Sequence, residues 1–425
     1  MKKALAGLRV LDLSRVLAGP FCTQILGDLG AEVIKIEKPG EGDDTRLWGP
    51  PFLKDAQGRD TTESAYYLCA NRNKKSVAID LKSAEGQALI HRLLEHCDIL
   101  IENFKVGGLE KYGLGYAQLK EKYPALIYCS ITGFGQTGPL AHEPGYDFMA
   151  QALSGLMAST GAPDGEPMKV GVAVSDIMTG LNAAIGILAA LHHRERTGAG
   201  QMVDVALTDT TIAALSNLSQ YFLTSGQCAP RLGNAHSTIV PYQAFETKDS
   251  HIIIAVGNNE QFKRFCQILG QPGWAADARF AKNQSRVINR DILVPMICAI
   301  MKTKTTDAWM KATIDADIPA GPVNSMDKVF AMEQTQARGM EIRMNHPLAP
   351  APIALVGSPL KLSETPVSYE TAPPVCGQHT QEVLEKLLNL KPDEIDALKN
   401  AGVVQTASNQ NETSAGDIRS KQTGH

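Results

Sequence analysis

The chain has 425 residues, of which 44% are hydrophobic and 20% charged, and its formal net charge is −4. A chain this long exceeds one small core, so it predicts two domains. The slightly negative charge gives no general attraction to nucleic acid or to an anionic membrane surface, although a local basic patch for phosphates is compatible with it.

The N-terminal residues include no long apolar run, because Arg9 and Asp12 interrupt the first apolar stretch. We therefore expect no signal peptide. The absence of ~18 uninterrupted apolar residues also argues against a membrane span. The eight cysteines form no CxxC pair, which leaves neither a zinc site nor a redox motif. These features predict a cytoplasmic protein without a bound metal and without nucleic acid or membrane as a partner.

Strands and helices alternate along the first part of the chain. Apolar runs predict strands at residues 7–13, 31–37, 76–80, 98–104 and 125–132. Amphipathic segments predict helices between these strands, and a long apolar helix at 177–193 follows them. Strands that alternate with helices predict an α/β fold with a mostly parallel sheet covered on both faces.

The composition changes near residues 225–236, which are rich in glycine, proline and polar side chains. We interpret this stretch as a linker. Residues 1–225 are then the N-terminal part of a large α/β domain, and 226–330 form a small domain. Residues 331–406 return to the large domain, and 407–425 are a polar tail that we expect to be disordered.

Two patterns suggest chemistry that their surroundings do not support. Residues 133–138 match GxGxxG after a strand, but a proline-containing loop follows where a dinucleotide site needs a helix. A glycine-rich turn that approaches another ligand fits better. His192 and His193 lie near a helix C-terminus, where the helix dipole favours them, and no third metal ligand is suitably spaced.

Asp176 lies between an apolar segment and an apolar helix. One interpretation is an N-cap, because an aspartate there accepts a hydrogen bond from a free backbone N–H. The other is a covalent nucleophile, since a helix N-terminus stabilises the carboxylate and small neighbours leave room for a substrate. The residue pattern alone leaves both open.

Several separated motifs are similar to those of the family III CoA-transferases, which include formyl-CoA transferase, carnitine CoA-transferase and α-methylacyl-CoA racemase. The resemblance covers about residues 5–405. The motifs are GLRVLDL at 7–13, LAGP at 17–20, GAEVIKIE at 30–37, NKKS at 73–76, ENF at 102–104, RLGNAH at 231–236 and GQHT at 377–380. The segments GDDTRLWGPPF, ITGFGQTGP and STIVPYQAF look like the succinyl-CoA–glutarate CoA-transferase group.

The resemblance implies a large Rossmann-like domain built from N- and C-terminal segments, a smaller α+β domain, and an intertwined homodimer. It also implies that Asp176 is the nucleophile. CoA would pass from a dicarboxyl-CoA donor such as succinyl-CoA to a carboxylic acid acceptor through an aspartyl-CoA thioester. No cofactor is expected, because coenzyme A thioesters are the substrates.

The resemblance also assigns residues that would bind CoA. For any one lysine among them, a solvated surface charge is the plain alternative, and Phe104 after a strand is commonly core packing. The matched positions are Arg15, Val16, Ala18, Lys38, Ile79, Lys82, Asn103, Phe104 and Lys111. Together they would supply cations for the phosphates and a ring to stack on adenine.

The chain also departs from parts of the family. Leu17 stands where formyl-CoA transferase has Gln, and residues 236–238 replace its glycine run, so formate and oxalate chemistry is disfavoured. Tyr146 stands where the racemase branch has a catalytic His, and a phenol is a poor base near neutral pH. A racemase and a non-catalytic CoA-binding protein remain as alternatives to a transferase.

The predicted substrate residues are Arg46, Tyr146 and His236. Arg46 is the first choice to hold a distal carboxylate of the acceptor, because an arginine can bind a carboxylate through two hydrogen bonds. Arg72 and Lys169 are further candidates. The alternative for Arg46 is a pairing with the neighbouring Asp43 or Asp44.

Overall fold

The computed structural model describes residues 3–407, which divide into two compact units. The first unit contains the residues up to 154, residues 171–214 and the segment from 336 onward. The second contains residues 155–170 and 215–335. It therefore takes in residues 155–170, 215–225 and 331–335, which the sequence prediction placed in the large domain. Apart from Ala407, the predicted tail lies outside the described residues.

The strands are β1 Arg9–Asp12, β2 Glu32–Glu37, β3 Phe52–Lys54, β4 Asp60–Ser64, β5 Lys74–Ile79, β6 Ile99–Glu102, β7 Ile127–Thr132, β8 Met202–Ala206, β9 Tyr242–Glu246, β10 His251–Ala255, β11 Ala320–Pro322, β12 Glu341–Met344, β13 Ile353–Val356 and β14 Val404–Gln405. The helices of the chain up to residue 225 are α1 Ala18–Asp28, α2 Ala65–Leu68, α3 Ala84–Leu94, α4 Tyr116–Lys122, α5 Asp147–Leu153, α6 Leu156–Ser159, α7 Val174–Thr197, α8 Leu207–Ala214 and α9 Asn217–Ser225. The later helices are α10 Asn259–Ile268, α11 Asn283–Ile288, α12 Arg290–Met301, α13 Thr306–Asp315, α14 Met326–Ala331, α15 Glu333–Ala337, α16 Thr380–Leu388 and α17 Pro392–Asn400.

The first unit is built on a seven-stranded sheet in the order β14-β5-β2-β1-β6-β7-β8. Its strands are parallel except for β14, which pairs antiparallel with β5. The prediction of a mostly parallel sheet is therefore confirmed. The six parallel strands follow the doubly wound order, in which the chain builds outward in both directions from β1. The direction changes between β1 and β6, and such a switch point opens a crevice at the carboxyl edge of the sheet.

Apolar residues alternate between the two faces of this sheet, because successive strand side chains point in opposite directions. Leu11 and Ile34 pack on one face with residues of α3, α4, α16 and α17. Val10 and Val33 pack on the other face with residues of α1 and α7. Both faces are thus buried, as a parallel sheet requires, and the sheet holds its loops on a rigid base.

The helix α7 is long and apolar enough, by length and composition, to cross a membrane, and 44% of its most apolar window is buried in the molecule. A core helix of a globular protein passes the same test. The buried side of α7 includes Ala183 and Ile187, which pack on the sheet. Its other side exposes Leu181, Ile185 and Leu188. The expectation that no membrane is involved stays a prediction.

The second unit has a core of its own. Its antiparallel sheet has the order β11-β10-β9, and helices α10, α12 and α13 supply much of the buried apolar surface. Trp309 and Phe262 are fully buried in this core. The unit is therefore of the α+β type.

Candidate active site

Loops at the carboxyl edge of the large sheet enclose two cavities. The smaller, of about 300 Å³, lies at the ends of β1, β2 and β5. The larger, of about 550 Å³, lies at the ends of β6 and β7 and includes the loop after β1. Arg15, Asp44, Phe104 and Tyr112 line both cavities, so the two adjoin. Their position is the switch point at which doubly wound sheets bind ligands.

All nine residues matched to CoA binding lie on these cavities. The smaller cavity has Lys38, Ile79 and Lys82, the larger has Val16, Ala18, Asn103 and Lys111, and both have Arg15 and Phe104. They come from four separate loops, which only the parallel sheet brings to one edge. The guanidinium of Arg15 lies 5.9 Å from the centre of the Phe104 ring. Phe104 also packs against the core, so both interpretations of this side chain apply.

Two of the cations are paired with acids in this structure. Arg15 binds Asp44 at 2.7 Å, and Lys38 binds Glu41 at 2.5 Å. The four side chains are about half exposed, and ion pairs of this kind contribute little to stability. An anionic ligand could therefore replace either acid at small cost.

Asp176 lines the larger cavity and lies in the first turn of α7, but it is not the N-cap. The N-cap residue is Ala173, which makes no side-chain cap. Instead, Oδ1 of Asp147 accepts hydrogen bonds from the backbone N–H groups of Ser175 at 2.8 Å and Asp176 at 3.4 Å. The expectation that Asp176 caps the helix is wrong, because a carboxylate from α5 performs that role. The carboxylate of Asp176 is left free for other chemistry.

The environment of Asp176 disfavours its charged form. Burial is the main cause and the negative charge of Asp147 the second, and together they raise the pKa of Asp176 to about 7. Among residues 3–407, no arginine, lysine or histidine forms an ion pair with it. A carboxylate in this setting is weakly solvated, and a nucleophile without tight hydrogen bonds attacks more readily.

Aromatic side chains surround this part of the cavity. The rings of Trp48 and Tyr66 meet edge to face, with their centres 5.2 Å apart, and Trp48 lines the cavity. Burial and the charges of Asp176, Cys69 and Asp147 raise the pKa of Tyr66 to about 12, so its phenol stays protonated. Tyr146 also lines the cavity and is 63% exposed. Neither Trp48 nor Tyr66 was predicted as a site residue, although Trp48 lies in the segment GDDTRLWGPPF at 42–52.

The prediction that Arg46 holds a substrate carboxylate is wrong. Its side chain is buried and its guanidinium binds Glu37 at 2.8 Å and Glu63 at 2.6 Å. It also donates to the carbonyl oxygen of Pro374 and lies 3.7 Å from the centre of the Tyr67 ring. The alternative pairing with Asp43 or Asp44 is wrong as well, because the acidic partners are Glu37 and Glu63.

Arg72, Lys169 and His236 do not line either cavity. Arg72 is buried and forms two hydrogen bonds to Asp28. Lys169 and His236 belong to the second unit. In that unit the ring of His236 lies 5.2 Å from the ring of Tyr242, and its Nδ1 accepts a hydrogen bond from the N–H of Thr238. Of the three predicted substrate residues, only Tyr146 lies at the site.

Beneath the loops lies a buried ionic network that sequence reasoning missed. Lys35 on β2 donates to Asp43 at 2.8 Å and to the carbonyl oxygen of Ser14 at 2.9 Å. Lys74 on β5 lies 3.3 Å from Asp12. Both lysines are fully buried. Lys35 ties the loops after β1 and β2 to the sheet, and Lys74 joins β5 to β1. The available signal was a lysine inside an otherwise apolar strand, which is costly unless it is paired.

Two CoA-transferases and one solved structure are similar to this chain over most of its length. Succinyl-CoA:glutarate CoA-transferase of Mus musculus is 44% identical over 95% of this chain and 91% of the mouse protein. Succinate–glutarate CoA-transferase of Agrobacterium fabrum is 47% identical over 91% of this chain and 96% of its own. A crystal structure of a CAIB/BAIF family protein from Brucella suis superposes with a TM-score of 0.82 at 44% identity and covers 91% of this chain and all of that one.

The sequence pattern of CoA-transferase family III matches residues 5–380, which include both cavities and Asp176. The family predicted from the motifs is confirmed by this match and by the two transferases. The chain is an enzyme that belongs to CoA-transferase family III.

Proposed function

We propose that this enzyme transfers CoA from succinyl-CoA to glutarate or a similar dicarboxylate, with Asp176 as the covalent carrier. The observation that carries the proposal is the Asp176 carboxylate, which lines the larger cavity, caps nothing and has no cationic partner among residues 3–407. The relatives named for succinyl-CoA and glutarate, at 44% and 47% identity, support these substrates.

The adjoining cavities suggest how a CoA thioester would lie. Lys38 and Lys82 on the smaller cavity offer cations to its phosphates, and Arg15 stands on the wall that both cavities share. The pantetheine arm would pass this wall and bring the thioester to Asp176. The binding energy of the nucleotide end would then position the reacting carbonyl, which is how remote contacts accelerate a reaction.

In the proposed cycle, the Asp176 carboxylate attacks the succinyl thioester, and the C–S bond breaks to give a mixed anhydride and CoA thiolate. The thiolate then attacks the aspartyl carbonyl, which releases succinate and leaves an aspartyl-CoA thioester. Glutarate attacks this thioester to form a second anhydride and free thiolate. Attack of the thiolate on the glutaryl carbonyl gives glutaryl-CoA and restores the Asp176 carboxylate. Each step keeps the acyl group activated, provided that water is excluded.

A substrate screen tests the overall reaction. Wild-type enzyme incubated with succinyl-CoA should form glutaryl-CoA from glutarate, detected by mass spectrometry, and butyrate should be a poor acceptor. With Arg46 excluded, the cations that line the larger cavity and could hold a distal carboxylate are Arg15, Lys105 and Lys111. Equal rates with butyrate and glutarate would contradict the dicarboxylate preference. Deuterium exchange at the α-carbon of a 2-methylacyl-CoA, without transfer, would favour a racemase.

Asp147→Asn should move the acid limb of the transfer rate to lower pH. Transfer needs the Asp176 carboxylate, whose pKa of about 7 is raised in part by Asp147. Removal of that negative charge lowers the pKa of Asp176, so the active form persists at lower pH. Asparagine still accepts hydrogen bonds from the N-terminus of α7, so the cap is kept.

The measurement is kcat/KM against pH. The control is Asp60→Asn, which removes an exposed carboxylate that pairs with Lys54. The control should leave the profile unchanged, since solvent screens its charge. A profile of Asp147→Asn that coincides with the wild-type profile would show that Asp176 does not titrate in the acid limb.

We also propose that the enzyme is an intertwined homodimer. Leu181, Ile185 and Leu188 form an exposed apolar stripe on α7, and Phe148 and Leu153 of α5 are also exposed. An apolar surface of this extent favours coverage by a partner, here a second copy. Light scattering should give the mass of two chains at every concentration, because threaded chains cannot separate without unfolding. A monomer that appears on dilution would contradict the intertwined dimer.

A further inference from the structure

The turn after β1 has a strained backbone at the place where the two cavities meet. Val16 has a φ of 69°, in the left-handed region. Valine rarely adopts this conformation, because its branched Cβ crowds the backbone. Strain of this kind persists only where surrounding contacts enforce it. The flanking residues Arg15 and Leu17 line the larger cavity, so whatever enforces the turn also shapes the site.

The side chain of Asn103 forms two hydrogen bonds to the backbone of Arg15. Its Oδ1 accepts a hydrogen bond from the Arg15 N–H at 2.9 Å, and its Nδ2 donates to the Arg15 carbonyl oxygen at 2.7 Å. A carboxamide has both the acceptor and the donor that this arrangement needs. On the other side of the turn, Oδ1 of Asp43 accepts a longer hydrogen bond from the Val16 N–H at 3.3 Å.

Asn103 is itself held firmly. It follows β6 directly, and the next N–H, that of Phe104, donates to Oε2 of the buried Glu102 at 2.7 Å. Asn103 thus joins the end of β6, through its backbone, to the turn after β1, through its side-chain amide. Both polar ends of its side chain bind Arg15, through one N–H and one lone pair of the oxygen.

We propose that Asn103 is a positioning residue that holds the strained Arg15–Val16 turn, and thereby the Arg15 guanidinium, between the two cavities. This inference rests on the proposed CoA site. It differs from the role implied by the family resemblance, in which Asn103 contacts CoA itself. Glycine adopts a φ of 69° without strain. In Val16→Gly, the turn should therefore keep its conformation with less help from the Asn103 hydrogen bonds.

The test is a double-mutant cycle on CoA affinity, measured by calorimetry without turnover. Asn103→Ala should weaken CoA binding about tenfold, the effect expected for the loss of two neutral hydrogen bonds that hold a binding loop. In the Val16→Gly background, Asn103→Ala should weaken CoA binding much less than it does in the wild-type background. A direct contact between Asn103 and CoA predicts the opposite, namely that the loss is the same in both backgrounds.

Asn103→Asp supplies a second variant of nearly the same shape, in case the alanine variant folds poorly. Its carboxylate keeps the acceptor but loses the donor, and it faces the Arg15 carbonyl oxygen, so CoA binding should weaken at least as much. Unchanged affinity in Asn103→Asp, or no recovery with glycine at position 16, would overturn the inference. Failure of the wild-type protein to bind CoA would instead overturn the proposed function.

Discussion

Asp176→Ala should abolish CoA transfer while CoA binding and the fold persist. The variant lacks the carboxylate that would form the anhydride and the thioester, and no other carboxylate on the larger cavity lies in the same turn of α7. The helix cap survives, because Asp147 supplies it. The measurements are the rate of glutaryl-CoA formation from succinyl-CoA and the affinity for CoA by calorimetry.

The same variant should be at least as stable as the wild type above pH 7. The pKa of Asp176 is raised in the folded protein, so its ionised form is disfavoured there relative to the unfolded chain. This destabilisation of the folded state is absent well below the pKa that Asp176 has in the unfolded chain. It grows as the pH rises and is complete above about pH 7. Removal of the group removes the cost. Asp176→Asn is the matched control, since its amide is similar in size but is not a nucleophile.

Both variants should be inactive. Retention of a tenth of the wild-type turnover in Asp176→Ala would contradict the nucleophile assignment. Loss of CoA binding along with activity would point to a structural role for Asp176 instead.

Arg46→Met should lower the free energy of unfolding by about 3–5 kcal/mol, as is usual when one partner of a buried ion pair is removed. The guanidinium lies between Glu37 and Glu63, and the loss leaves two buried carboxyl groups without their cation. It also breaks the hydrogen bond to Pro374, which ties the C-terminal segment to the N-terminal part of the sheet.

The deficit should grow as the pH rises. Burial already raises the pKa of Glu63 to about 7 against the lowering effect of Arg46. Without the cation this pKa rises further. The folded state then favours the protonated form of Glu63. The free energy of unfolding therefore falls as the pH rises above the pKa that Glu63 has in the unfolded chain.

Chemical denaturation followed by circular dichroism measures this change, and Lys54→Met is the control. Lys54 pairs with Asp60 in an exposed ion pair, so its loss should change stability by less than about 1 kcal/mol. A stable Arg46→Met variant with a raised KM for glutarate would restore the substrate role that we reject for this residue.

The sheet was predictable because its signal is local. Strands β1, β2, β5, β6 and β7 each contain apolar residues at successive positions, because both faces of the sheet are buried, although lysines interrupt β2 and β5. The strand β14 was missed, since two residues carry no pattern of their own and pair with β5 across more than half of the chain. Local pattern cannot specify such a contact.

The site was predictable only in part, for a similar reason. The loops after parallel strands meet at one edge, so residues matched by motif came together on the two cavities. The partner of each charged side chain was not predictable. Arg46 binds Glu63 rather than its neighbours in sequence, and the α7 cap comes from Asp147, 28 residues before Ser175. Such pairings depend on tertiary placement, which nearest-neighbour reasoning does not capture.

The covalent role of Asp176 is tested most directly by trapping its thioester during turnover. Borohydride reduces an aspartyl thioester to the alcohol, so the trapped residue becomes homoserine. Peptide mapping by mass spectrometry, after treatment of the enzyme with succinyl-CoA and borohydride, should find homoserine at position 176. The conversion should require succinyl-CoA and should be absent with free CoA alone. An unmodified Asp176 in enzyme that is turning over, or homoserine at another position, would contradict the account.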